Sequence, residues 1–104
     1  MIRTSNNMKS IKWDANKNLL LKDERGISFE DVIFYIENEK IIDVITHPNK
    51  SKYPNQKIFV IQINDYMYLI PFVENDHEIF LKTIIPSRKA SKKYEGENYE
   101  KENY

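Results

Sequence analysis

Three neighbouring runs decide the fold: Lys57-Ile-Phe-Val-Ile-Gln-Ile-Asn64, then Asp65-Tyr-Met-Tyr-Leu-Ile-Pro-Phe-Val73, then Glu78-Ile-Phe-Leu-Lys-Thr-Ile-Ile-Pro-Ser-Arg-Lys-Ala90. Each is rich in β-branched and aromatic residues and is bounded by a polar break, the pattern of three strands in a meander. Asn64-Asp65 tolerates the positive φ values that a tight hairpin requires. Pro71 has no N–H to give to a neighbouring strand, so a bulge or an exposed edge is expected there. If both turns close tightly, Val60, Leu69 and Lys82 lie opposite one another and share a face with Ile58, Met67, Phe80 and Ile84. Phe59, Ile61, Tyr68, Ile70, Leu81, Thr83 and Ile85 then form the other face. Both faces are largely apolar and two helices cover only one, so the second face is expected to meet a partner.

Upstream, Lys9-Ser-Ile-Lys-Trp13 alternates like a short edge strand, and Asp14 is placed to cap a helix running from Ala15 towards Gly26. Leu19-Leu-Leu21 blurs the buried face of that helix. Ser28 with Asp31 three residues on marks a second helix start, with Ile27 and Val32 placed as a hydrophobic staple. Phe29, Val32, Ile33 and Ile36 follow at i, i+3, i+4 and i+7, a single apolar stripe that ends near Asn38. Ile41-Ile-Asp-Val-Ile-Thr46 reads as a strand closed by His47-Pro48, and residues 49–56 read as a loop.

At 104 residues, 40% of them apolar, the chain suits one modest core. It divides into a domain over residues 1–93 and a low-complexity tail over 94–104, in which Tyr94-Glu-Gly-Glu-Asn98 is echoed by Tyr99-Glu-Lys-Glu-Asn103. Four glutamates of the tail against Lys101 give it −3; the whole chain balances, so residues 1–93 carry +3. Such a body contacts phosphates locally without the strong charge of a dedicated nucleic-acid binder. The absence of cysteine removes disulfides and thiolate metal sites. The first residues lack a signal-like apolar region and no run reaches membrane-spanning length, so a soluble cytoplasmic protein is expected. His47 and His77 offer no metal-ligand spacing, and there is neither a phosphate-binding glycine loop nor a nucleophile elbow. No metal or cofactor is expected.

Taken in order, Trp13-Asp14, Lys17, Gly26-Ile-Ser-Phe-Glu-Asp31 and Ile84-Ile-Pro-Ser-Arg-Lys-Ala90 resemble the BrnT family of toxins from type II toxin–antitoxin systems. That family starts one helix at Trp-Asp-x-x-Lys and another at Gly-[Val/Ile]-Ser-Phe-x-[Glu/Asp]. It closes near Ile-Ile-Ser-Ala-Arg-[Arg/Lys]-Ala. The resemblance spans about residues 10–93. It implies an α+β, RelE-like fold: a short N-terminal strand and two N-terminal helices packed on an antiparallel β-meander. It also implies metal-independent RNA cleavage that inhibits translation, neutralised by a small antitoxin that binds DNA, in a homodimer or a heterotetramer with that antitoxin.

Cleaving RNA without a metal takes a base for the 2′-hydroxyl, cations for the phosphate and an acid for the leaving oxygen. Arg88 matches the family's closing arginine, and its fork suits two phosphate oxygens. Thr83 stands where the family tends to have a further arginine, with Lys82 and Glu78 as the neighbouring substitutes. Arg25 stands where it commonly has histidine. The catalytic candidates are therefore Arg88, Lys82 and Glu78, with Lys89, Trp13 and Lys57 as RNA contacts. A catalytically weak binding module, acting only through its antitoxin and regulatory complex, is the alternative.

Overall fold

The computed structural model describes residues 9–93; the first eight residues and the acidic repeat at 94–104 lie outside them. The element order is β1 (Ser10–Lys12), α1 (Ala15–Arg25), α2 (Phe29–Glu37), β2 (Ile41–Thr46), β3 (Lys57–Ile63), β4 (Tyr66–Glu74), β5 (Glu78–Leu81) and β6 (Ile85–Pro86). A further helical segment, α3, covers 88–93. The class is α+β, as the resemblance implies. The architecture departs from that expectation in two ways: a third helix follows the sheet, and the sheet is mixed. Its strands run β1-β5-β4-β3-β2, with β6 also paired to β4. β1 joins parallel to β5, because the helical pair between β1 and the meander carries the chain across before it returns.

Local chemistry explains both long helices. The Asp14 carboxylate accepts the backbone N–H groups of Asn16 and Lys17, and Gly26 ends α1 at φ 68. The left-handed conformation turns the chain sharply there, so that α2 starts three residues later. At that start the Ser28 hydroxyl accepts the Asp31 N–H while the Asp31 carboxylate accepts the Ser28 N–H, a complete capping box. Asn18 locks the corner. Its side-chain oxygen accepts the buried Phe29 N–H at 2.7 Å, and its amide donates to Glu30 at 2.9 Å. Asn18 is itself 5% exposed, so this bond satisfies a donor that water cannot reach.

The helices pack on one face of the sheet. Leu21, Ile27, Phe29, Val32 and Ile36 meet Phe59, Ile61, Ile63, Ile70, Phe72, Ile79, Leu81 and Ile84 in one core. Phe59 stacks on Phe72 with ring centroids 4.0 Å apart. Burying side chains of this size stabilises by roughly 1.5–3 kcal/mol each.

The second face corrects the expectation of an open apolar surface. Ile58, Val60 and Met67 on it are 6%, 1% and 3% exposed. At its Met67 end, the Met67 N–H is bonded to the Ser91 hydroxyl, which ties α3 to β4. The exposed large apolar side chains stand elsewhere: Leu19, Leu20 and Phe34 on the helices, and Ile42, Val44 and Ile45 on the β2 edge, with Ile85 on β6.

The register of the last strand also differs. Val60 does face Leu69, but Phe72 pairs with Leu81 and Leu69 pairs with Ile85, not Lys82. The second turn holds Asn75 to His77, closed by an Asn75 N–H bond to the Glu78 carbonyl, so it is looser than a two-residue hairpin. Between β5 and β6 the chain leaves the ladder. The Lys82 N–H reaches the Pro71 carbonyl at 2.8 Å, and Pro71 has no N–H to return. The bulge expected at Pro71 thus appears on the strand facing it. Its one-residue shift sends Ile84 into the helix-side core, 0% exposed, and leaves Ile85 40% exposed, the reverse of the expected faces.

Candidate functional site

The sharp Gly26 corner and the hairpin at Asn64 and Asp65, with φ values of 53 and 69, approach one another at one end of the sheet. Between them lies an open cleft of about 360 Å³ lined by Arg25, Gly26, Asp31, Tyr35, Asn64 and Tyr68, among others. Arg25, in the last turn of α1, donates from Nη1 to the Ile84 carbonyl at 2.5 Å. That carbonyl belongs to the stretch that has left the β4 ladder. A cation that lines the cleft therefore reaches the stretch that follows the break opposite Pro71.

From there β6 runs past Tyr68, which pairs with Pro86, into α3. The Ser87 N–H donates to the Met67 carbonyl at 3.0 Å, and the Ser87 hydroxyl accepts the Ala90 N–H at 3.1 Å, an N-cap. Arg88 and Lys89 follow on the first turn, both exposed. Among the described residues no carboxylate pairs with either. The cap and the helix it begins went unread in the sequence, although Ser87 stands three residues before Ala90.

The opposite end of the sheet is built from closed ion pairs. Glu74 receives Lys9 at 2.9 Å and Lys57 at 3.1 Å, and Glu78 receives Lys12 at 3.1 Å. Partial burial pushes the Glu74 carboxyl up, but the hydrogen bonds from Lys9 and Lys57 outweigh it and hold the group below its ordinary value. A smaller hollow of about 140 Å³, bordered by Val73, Glu74, Asn75, Glu78 and Phe80, lies beside these pairs.

The expected site residues are thus spread along β4. Arg88 and Lys89 follow Ser87, beside Met67; Lys82 lies alongside Pro71; Glu78 lies beyond Glu74. Seven residues separate Met67 from Glu74, roughly 23 Å of strand. Arg88 and Glu78 do not share a site in this arrangement. Lys82 is exposed, with its ammonium 5.9 Å from the Phe80 ring centroid. Trp13 packs against Phe29 at a centroid distance of 6.0 Å, on the border of the core. Lys57 is committed to Glu74.

Arg25, Tyr35 and Tyr68 were not among the expected site residues. The sequence signals for Arg25 were its position next to the corner glycine and the histidine that the resembled family commonly has there. For the two tyrosines there was none: Tyr35 lies outside the apolar stripe of its helix, and Tyr68 read as one member of an apolar strand face. Among the described residues no three His, Asp or Glu side chains gather as metal ligands do, and no helix is long and apolar enough to cross a membrane. No protein-family model, curated protein or solved structure matches the chain.

Proposed function

We propose that the chain is the toxin of a type II toxin–antitoxin pair, in a RelE-like arrangement, acting as a metal-independent ribonuclease that a small antitoxin neutralises. One observation carries this reading. The Gly26 to Asp31 motif and the Ile84 to Ala90 motif, distant in sequence, are joined in space by one bond: Arg25, the residue before Gly26, donates to the carbonyl of Ile84, while the cleft itself is bordered by residues of the first motif. Contact between two short motifs that the same family carries supports reading them together. Arg88 and Lys89 are exposed and, among the described residues, unpaired with carboxylates, which leaves their charge open to a phosphate partner.

In this reading Arg88 is the cation that meets the scissile phosphate. Lys89 extends its field, and Lys82 lies further along β4. Glu78 would have to serve from the far end, held by Lys12. That separation favours the second reading, a module of the same fold that is weak in catalysis and works through its antitoxin. The exposed Ile42, Val44 and Ile45 on the open β2 edge support a protein partner of this kind.

Induced expression of the full chain, followed by incubation of the purified protein with RNA in chelator, tests the proposal. Growth arrest with RNA cleavage, both relieved by Arg88→Ala at equal abundance, is the expected result. Equal arrest by that variant defeats the mechanism. Stable association with a small adjacent gene product without any RNA cleavage selects the binding module.

A further inference from the structure

We propose that the cleft between the α1–α2 corner and the β3–β4 hairpin binds one unpaired nucleotide, with its phosphate on Arg25 and its base against Tyr35 and Tyr68. The inference rests on the RNA reading above and gives it a substrate contact away from Arg88. A volume of about 360 Å³ has room for one nucleotide and none for a duplex. Arg25 is oriented by a single N–H to the Ile84 carbonyl, which leaves four of its donors for a ligand. Among the described residues no carboxylate forms an ion pair with it.

Asp31 borders the same cleft, but its Oδ2 is taken by the Ser28 N–H at 2.9 Å and the Ser28 hydroxyl at 3.1 Å. Its other oxygen is an acceptor for the amino edge of a base and repels a phosphate. The cleft is therefore polarised: cation on the α1 side, acceptor on the α2 side. Tyr35 and Tyr68 are half-buried, held by the core on one part and open to the cleft on the other. Stacking on such rings tolerates any base but requires that the base be free of a duplex.

Fluorescence anisotropy of the full chain with a short labelled 2′-O-methyl RNA, which cannot be cleaved through its 2′-oxygen, tests the assignment. Tyr68→Leu is expected to weaken binding by roughly 5- to 150-fold without changing the salt dependence. Arg25→Gln is expected to flatten the slope of log affinity against log salt by about 0.7, and Arg25→Lys to retain it. Where a variant loses its cooperative melting transition, amide NMR shifts of the wild-type protein with the same RNA replace it. Shifts centred on Gly26, Asn64 and Tyr68 support the site, and shifts confined to other residues overturn it. Wild-type binding that neither substitution changes overturns the cleft but leaves the RNA reading standing. No binding by the wild-type protein overturns both.

Discussion

The two ends of the sheet handle charge in opposite ways. At the Glu74 end every carboxylate facing a lysine has closed on it: Lys9 and Lys57 on Glu74, Lys12 on Glu78. At the other end Arg25 is held by a backbone carbonyl, and Arg88 and Lys89 stand exposed on the first turn of α3. A charge already neutralised by a neighbour has little left for a ligand, whereas one oriented by a neutral carbonyl keeps its full field. Position in a motif does not distinguish these cases; the partner does. Glu78 and Arg88 were grouped in one site through the family resemblance, in which Glu78 entered only as a neighbour of Thr83 in sequence.

The contrast can be broken at either end. The largest effect is expected for Arg88→Ala, which should lower RNA cleavage roughly 100-fold in a gel assay, the usual cost of losing one transition-state charge contact. Next comes the corner that holds the cleft. Asn18→Leu leaves the Phe29 N–H buried without an acceptor, and should cost about 2 kcal/mol in urea unfolding. Glu78→Gln sharpens the comparison: paired with Lys12 at the closed end, it should change cleavage by less than about threefold, and a loss approaching that of Arg88→Ala would return Glu78 to the site.

The smallest effect is expected for Glu74→Gln, about 0.5–1 kcal/mol at neutral pH. Its pH dependence has a definite sign. The folded-state pKa of Glu74 lies below the ordinary carboxylate value, so its contribution is complete above that value and fades as the pH falls through the folded one. Thermal melting from neutral pH into the acid range should show the variant and the parent converging. A constant gap across that range would mean that the two lysines do not act through the carboxylate.

Much of this molecule was legible wherever the information was local. Asp14, Gly26, the Ser28–Asp31 box and the Asn64-Asp65 turn are one-residue or four-residue devices, and each does in the structure what its chemistry dictates. The faces of the last strand were not legible. They depend on the length of the Asn75 to His77 turn and on a ladder bond that Pro71 cannot return, and both act at Ile84 and Ile85, several positions further along the chain. The covered second face escaped for a related reason. Ser87 to Lys93 looked like the end of the pattern; its cap is local, but its Ser91–Met67 bond arises only once β6 lies against β4. The cleft was least legible of all, because Arg25, Asp31 with Tyr35, and Tyr68 come from three separate elements, and only Asp31 and Tyr35, one turn apart on α2, are related by spacing.

Pro71 also sets a boundary of cooperativity. Opposite it the ladder is interrupted, so β6 and α3 are held by Leu69, Tyr68 and Met67 through their own few bonds, while β5 is fastened separately between β1 and the end of β4. Opening β6 does not require unzipping β5. The segment after Ile84, which carries Arg88, is therefore expected to open at less than the global unfolding free energy, with the Arg25–Ile84 bond as its latch. In native-state hydrogen exchange the Ser87 amide should therefore exchange ahead of the β3 and β5 amides, and Arg25→Gln should widen that gap.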